Sequence, residues 1–195
     1  MPENNSQYDV IVIGAGVAGL YQLYKLRQLK LKVLVIEAGD NVGGTWYWNR
    51  YPGARFDSES WSYGYSFSRE LFEEWDWPEH FAAQPDTLRY LNYVADKFDL
   101  RRDINFNRRV KAALFKEETN FWTVRTDTNE SFEARFLITA MGPLSAFTLP
   151  NIEGRETFEG PAYHTARWPH EKVDFSGKRV GIIGTGACAI QTIQT

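Results

Sequence analysis

One cysteine, three histidines and no run of basic residues set the first limits on this chain of 195 residues. Cys188 stands alone, so no disulfide can close within the chain, and a reducing compartment is expected. Lysine and arginine total 22 against 25 acidic residues, a net charge of −3. That balance offers no basic field, and nucleic acid is not expected as a partner. The longest apolar run, from Val10 to Leu20, is too short to span a bilayer and is broken by three glycines. The opening residues, Met1 to Gln7, show no cationic stretch followed by an apolar one and do not read as a leader. A cytoplasmic chain without a membrane segment is the expectation. His80 has no ligand partners at useful spacing, and no metal is expected. Aromatic residues, by contrast, reach 15% with seven tryptophans, which suits planar ligands or large pockets, or simply dense packing.

The most informative stretch is Tyr8-Asp-Val-Ile-Val-Ile-Gly-Ala-Gly-Val-Ala-Gly-Leu20. An apolar, β-branched run leads into Gly14-x-Gly16-x-x-Gly19, and a helical pattern carrying Leu20, Tyr21, Tyr24 and Leu26 follows at once. Strand, glycine turn and helix together predict a dinucleotide site. Gly14 permits the tight turn, Gly16 admits a pyrophosphate against the backbone, and Gly19 lets helix and strand pack closely. The phosphates would meet free N–H groups at the positive end of the helix dipole. Lys32-Val-Leu-Val-Ile36 reads as a second buried strand ending at Glu37, twenty-three residues after Gly14. An acid at that spacing accepts from a ribose 2′-hydroxyl and repels a 2′-phosphate, which predicts the ADP half of FAD or NAD. A solvated glutamate at a strand end is the plainer alternative.

Next comes Asn41 to Glu59, where glycine pairs, a Pro-Gly turn and aromatics predict a structured loop able to lie along a flat cofactor. Within it, Gly43-Gly-Thr-Trp-Tyr-Trp-Asn-Arg-Tyr-Pro-Gly-Ala54 resembles the type I Baeyer–Villiger monooxygenases almost verbatim. Those enzymes use FAD and NADPH. The resemblance implies that Gly44, Thr45, Trp46, Tyr47 and Trp48 line the flavin, and that Tyr63 touches it. It also implies that Asp57 lies near flavin and nicotinamide and pairs with an active-site arginine from later in the protein, with Arg55, Val110 and Gly142 among the cofactor contacts. Independently of the family, Arg55 and Asp57 stand two apart and would share a face of an extended segment, where a surface ion pair is the plain reading.

Residues 65–85 read as irregular or partly helical. Gln84-Pro-Asp-Thr opens an amphipathic helix through Leu88, Leu91, Val94 and Phe98, ending near Leu100. From Ile104 the pattern turns to strands. Val110–Phe115, Phe121–Arg125 and Phe132–Ala140 predict a β-meander, whose last strand is expected to run buried into Gly142.

A second signature follows. Phe158-Glu-Gly160-Pro-Ala-Tyr-His164-Thr-Ala-Arg-Trp168-Pro169 matches F-x-G-x-x-x-H-x-x-x-W-P, which resembles the mark distinguishing Baeyer–Villiger enzymes from flavin monooxygenases that act on amines or sulfides. His164 has the chemistry for proton transfer near neutral pH, and equally for a structural role at a hinge. Gly177 to Ile183 is predicted as a strand entering Gly184-Thr185-Gly186-Ala187-Cys-Ala189, a second dinucleotide fingerprint that opens a helix, with Cys188 as a small packing residue.

The expected fold is therefore α/β: a Rossmann-like FAD-binding domain over 1–142 with an inserted β-meander, a linker over 143–176, and the start of a second Rossmann-like, NADP-binding domain over 177–195. The implied activity is insertion of one oxygen atom of O₂ beside a ketone carbonyl, with Asp57 and His164 as catalytic candidates. The chain would be the N-terminal part of such an enzyme, completed by a further segment or a second chain. An amine- or sulfide-oxygenating relative and a non-catalytic FAD-binding fragment are the alternatives.

Overall fold

The computed structural model describes residues 6–195, so most of the leader reading, at residues 1–5, lies outside the described residues. In chain order the main elements are β1 (Ser6–Ile13), α1 (Val17–Gln28), β2 (Val33–Ile36), α2 (Thr45–Trp48), α3 (Ser60–Tyr63), α4 (Arg69–Glu74), α5 (Gln84–Lys97), β3 (Ile104–Asn105), β4 (Val110–Lys116), β5 (Phe121–Thr126), β6 (Ser131–Thr139) and α6 (Ala187–Ile193). They divide into two compact units. One comprises the chain up to Tyr47 with Arg89–Pro143, and the other comprises Trp48–Leu88 with Leu144–Thr195.

The first unit is built on a six-stranded sheet in the order β3-β2-β1-β6-β5-β4. β1 pairs in parallel with β2 (Val10 opposite Val33) and with β6 (Val10 opposite Phe136). A strand with neighbours on both sides and cover on both faces reads as a continuous β-branched run, and Val10, Ile11 and Val12 are all buried. The predicted meander is present: β4, β5 and β6 pair antiparallel, and β6 carries the chain back beside β1. Successive β1, β2 and β3 step to one side of β1 and β6 lies on the other, so the carboxyl end of β1 is a topological switch point, where α/β sheets place ligands.

α1 buries Gly19, Leu20 and Leu23, and Tyr24 meets the Phe98 ring edge-on at 4.9 Å. Tyr21 departs from the expected apolar face, at 38% exposed, because it lies about 100° around the helix from Leu20. α5 runs as expected and ends at Lys97, where Asp99 takes a positive φ of 50° and the Leu100 N–H closes on the Ala95 carbonyl. The last strand differs from expectation: Phe136 is 56% exposed, since no described element covers that side chain.

In the second unit the loop after Trp48 folds back on itself. Arg55 bridges Ala83 as an antiparallel pair, and the Gln84 N–H donates to the Ala54 carbonyl at 2.7 Å. Ser60 Oγ donates to the Glu79 carbonyl and accepts from the Ala82 N–H, so a buried hydroxyl stitches both sides of the loop. Phe56 stacks on Tyr63 at 4.3 Å and meets Trp77 edge-on, and Leu71 of α4 is fully buried. The tryptophans thus serve partly as packing.

The predicted strand at 177–183 is not formed. The segment opens with a turn at Ser176–Gly177 and then joins no ladder, and Ile183 is 77% exposed. A parallel strand exists only through its neighbours, and no described strand pairs with this one. The helix after it does form, as α6.

Candidate functional site

The first glycine turn is a close-packed backbone junction. Gly14 has φ +102°, its N–H donates to the Ile36 carbonyl at 2.9 Å, and a Cβ there would lie 2.7 Å from the Ala140 oxygen. A Cβ on Gly19 would fall 1.8 Å from the Gly14 oxygen, so α1 crosses its own turn at a separation only glycine allows. Gly16 caps α1 with no side-chain hydrogen bond, and the first turn holds no acidic residue. The helix thus places no acidic side chain of its own on its positive end. Against Gly16 lies Gly44, which has φ +52° and whose Cβ would come 2.7 Å from the Gly16 Cα. The two bare backbones approach each other, and the Gly43 N–H donates to the Ala15 carbonyl at 3.0 Å.

Glu37 is buried at 5% exposure beside this turn. Its Oε2 accepts from the Ala15 N–H at 2.7 Å and its Oε1 from the Gly39 N–H at 2.8 Å. Charge-assisted bonds from two backbone amides offset the cost of burying the carboxylate. Each oxygen keeps a second lone-pair direction, so the group can accept from a hydroxyl as well. Beyond Gly44, Thr45 to Trp48 form the single helical turn α2, with Trp46 and Tyr47 buried. Residue pattern alone predicts only a structured loop there, without this helical turn. Val110 opens β4 and packs half-buried against the sheet's apolar cluster, and Gly142 takes φ +71° on an exposed stretch.

In the second unit Ala54 to Asp57 alternate buried and exposed, so Arg55 and Asp57 share a face as expected. The ion pair falls elsewhere: Arg55 Nη1 meets Glu79 at 3.1 Å. Asp57 Oδ1 instead accepts from Gln191 Nε2 at 3.0 Å. Tyr51 Oη donates to Gln191 Oε1 at 2.8 Å, and burial, followed by the neighbouring Cys188 and Asp57, pushes that phenol well up, so it remains a donor. Tyr51 lies within the Gly43–Ala54 run without a part assigned to it there, Gln191 belongs to no motif, and only the fold brings the two together. Tyr63 stacks on Phe56 behind the same loop.

His164 acts as a cap in this geometry. Its Nδ1 accepts from the Ala166 N–H at 3.1 Å, ending the extended chain before the short 3₁₀ turn Thr165–Arg167, and its ring packs on Phe147 at 4.6 Å. Arg167, also passed over in sequence, holds its guanidinium 5.4 Å from the Trp48 ring and 4.9 Å from Phe147. Gly184 has φ +119° and Gly186 caps α6, with Thr185 between them and Ala187 opening the helix. No group of His, Cys, Asp or Glu among the described residues could hold a metal, and no described helix is long and apolar enough to cross a membrane.

Comparison with known proteins places this geometry. The family model for pyridine nucleotide-disulphide oxidoreductases matches residues 11–193. The chain is 51% identical over 187 residues to an acetone monooxygenase (methyl acetate-forming) of Gordonia sp. strain TY-5, covering 96% of this chain and 35% of that protein. It is 47% identical to the phenazine N-monooxygenase PhzNO1 of Lysobacter antibioticus, over 97% of this chain and 35% of the relative. Among solved structures, the OTEMO complex with FAD and NADP (form 4) superposes with a TM-score of 0.91 at 50% identity, covering 97% of this chain and 37% of that one. The chain thus spans about a third of the length of the curated relatives it matches. It belongs to the pyridine nucleotide-disulphide oxidoreductase family, among relatives that include the Baeyer–Villiger monooxygenases its motifs resemble.

Proposed function

We propose that the protein carrying this chain is an FAD- and NADPH-dependent monooxygenase of the Baeyer–Villiger type. The reaction is ketone plus O₂, NADPH and a proton, giving ester or lactone, NADP⁺ and water. The observation that carries the reading is the junction of Gly16 with Gly44, which joins a nucleotide turn to the loop Gly43 to Asp57 that resembles these oxygenases. The acetone monooxygenase relative supports the ketone, and the OTEMO complex supports both cofactors.

The residues present fit the ADP half of FAD. The start of α1, with no side-chain cap and no acidic residue in its first turn, supplies donors and a positive dipole end for a pyrophosphate. Glu37 has acceptor capacity for a ribose hydroxyl while pinning Ala15 and Gly39. When bound, FAD supplies the redox chemistry, taking reducing equivalents from NADPH and passing them to O₂. The chain's own part is to bind, orient and exclude water. Gly14, Gly16, Gly19 and Glu37 hold the adenosine side. Gly44 to Trp48, Arg55 and Tyr63 flank the ring side, and Val110 and Gly142 are further contacts of the cofactor. Asp57 is the carboxylate set beside the reacting centre, where it would hold a cation that stabilises developing negative charge. Gly184 to Ala187 open the NADPH site. His164 serves as a hinge residue, its Nδ1 committed to the Ala166 amide. On this reading 1–142 is the FAD domain, 143–176 the linker and 177–195 the opening of the NADP domain, in a cytoplasmic enzyme completed by further chain.

The phenazine N-monooxygenase relative favours a second reading, oxygenation at nitrogen. One experiment separates them. NADPH consumption is followed with a panel of ketones and aromatic amines, and products are identified by mass. One ester per NADPH with a ketone is the expected result; N-oxide without ester would overturn it.

A further inference from the structure

α6 buries a residue its composition does not single out. Ile190 and Ile193 face outward, whereas Gln191 is 9% exposed. Its side-chain amide fills all four hydrogen-bonding positions. Oε1 accepts from Tyr51 Oη at 2.8 Å and, more distantly, from the Arg55 N–H at 3.4 Å. Nε2 donates to the Arg55 carbonyl at 2.9 Å and to Asp57 Oδ1 at 3.0 Å. This pattern fixes which end of the amide is which. A flipped amide would set its oxygen against the Arg55 carbonyl and the Asp57 carboxylate, and its NH₂ against the Arg55 N–H. Gly53 completes the seat: it has φ +76°, and a Cβ there would lie 2.4 Å from the Gln191 main-chain oxygen. The approach of α6 to this loop is built in backbone and side chain alike.

We propose that Gln191 is a positioning residue that fixes the Asp57 carboxylate and ties the helix after the second glycine turn to the loop bearing Asp57. An exposed aspartate ordinarily samples several rotamers; here one oxygen is held by an amide that is itself locked by Tyr51, and the other is left to meet a cation. A fixed carboxylate matters because small misplacement beside a reacting centre is costly in rate. The inference rests on the proposed role of Asp57 and goes beyond it, since nothing in the motif spacing assigns Gln191 a part.

The test is a double-mutant cycle in the full-length holoprotein with Asp57→Ala, Gln191→Met and both together. It is read on thermal midpoint, flavin content, KM for NADPH and the rate of flavin reduction by NADPH without oxygen. Gln191→Met keeps the volume and removes both donors. It is expected to slow reduction about tenfold while Asp57 is present, and less than about twofold once Asp57 is alanine. Should that variant fail to load flavin, Tyr51→Phe, which unlocks the amide and keeps the packing, is scored in the same cycle with an expected loss of about threefold. Equal losses in both backgrounds, or a neutral Asp57→Ala, overturn the proposal. Absence of ester from the unmutated protein would instead overturn the ketone reading, and the reduction cycle would still be scored.

Discussion

Gly14 and Gly184 open the same short motif, and their backbones agree closely. Their φ values are +102° and +119°. The third residues also match, with Gly16 at φ −80°, ψ −166° and Gly186 at φ −76°, ψ 177°, each capping a helix without a side-chain bond. The surroundings do not agree. The strand before Gly14 is paired on both sides and buried, whereas Val180, Ile182 and Ile183 stand exposed and unladdered. A Cβ on Gly14, Gly16 or Gly19 meets backbone, while one on Gly184 or Gly186 meets nothing within 4 Å. The turn is therefore a local property of its first two glycines, and the site is a property of the sheet behind it.

That contrast can be broken at the tight end first. Gly19→Ala forces α1 off the Gly14 carbonyl and should cost about 3 kcal/mol with loss of flavin loading, read by urea midpoint and visible absorbance. The corresponding position of the second turn is already Ala189. Normal loading of the variant would show that the crossing is looser than described. Glu37→Gln comes next. It turns one of two buried acceptors into a donor facing an N–H, an expected loss of about 1–3 kcal/mol by thermal unfolding. A fully stable variant would mean that Ala15 and Gly39 find other partners.

At the open end, Gly186→Ala should change stability by less than about 0.5 kcal/mol and leave flavin content intact. It should still weaken NADPH binding, because a methyl group would stand where a pyrophosphate approaches. An unchanged nucleotide affinity would count against the second turn as a phosphate site. The smallest effect lies in the meander. Thr128 donates to Glu130 at 2.6 Å, and with Arg108 this lowers the Glu130 carboxyl below its ordinary value. The folded state then binds the proton less readily than the unfolded one. Stability from this group is present above the ordinary carboxyl value and is lost as pH falls through the lowered one. The side chain is 40% exposed and screened by solvent, so Glu130→Gln should cost at most about 0.5 kcal/mol at pH 7 and nothing at strongly acid pH, as compared by urea titrations at both.

Much of the first unit was legible because its signals are local. Gly14 to Gly19, Glu37 and the three meander strands each declare themselves by glycine spacing, an acid at a strand end or short β-rich runs between turn residues. The failures share a cause. Tyr21 and Phe136 look buried by composition and are not, since burial depends on what covers a face. The 177–183 run has strand propensity and no partner strand among the described residues, and a parallel strand has no existence without one. Gln191 was illegible for the opposite reason. Its partners lie more than 130 residues away, and its apolar neighbours Ile190 and Ile193 would have been chosen for the interior in its place.

Amide hydrogen exchange on the 195-residue chain tests the contrast most directly, because it reads the two strands before the two glycine turns in one experiment. The amides of Val10 to Ile13 should exchange slowly, at the rate of global opening, and those of Gly181 to Ile183 near the rate of unstructured peptide. Comparable protection at both segments would contradict the account, since the second turn would then have a sheet of its own.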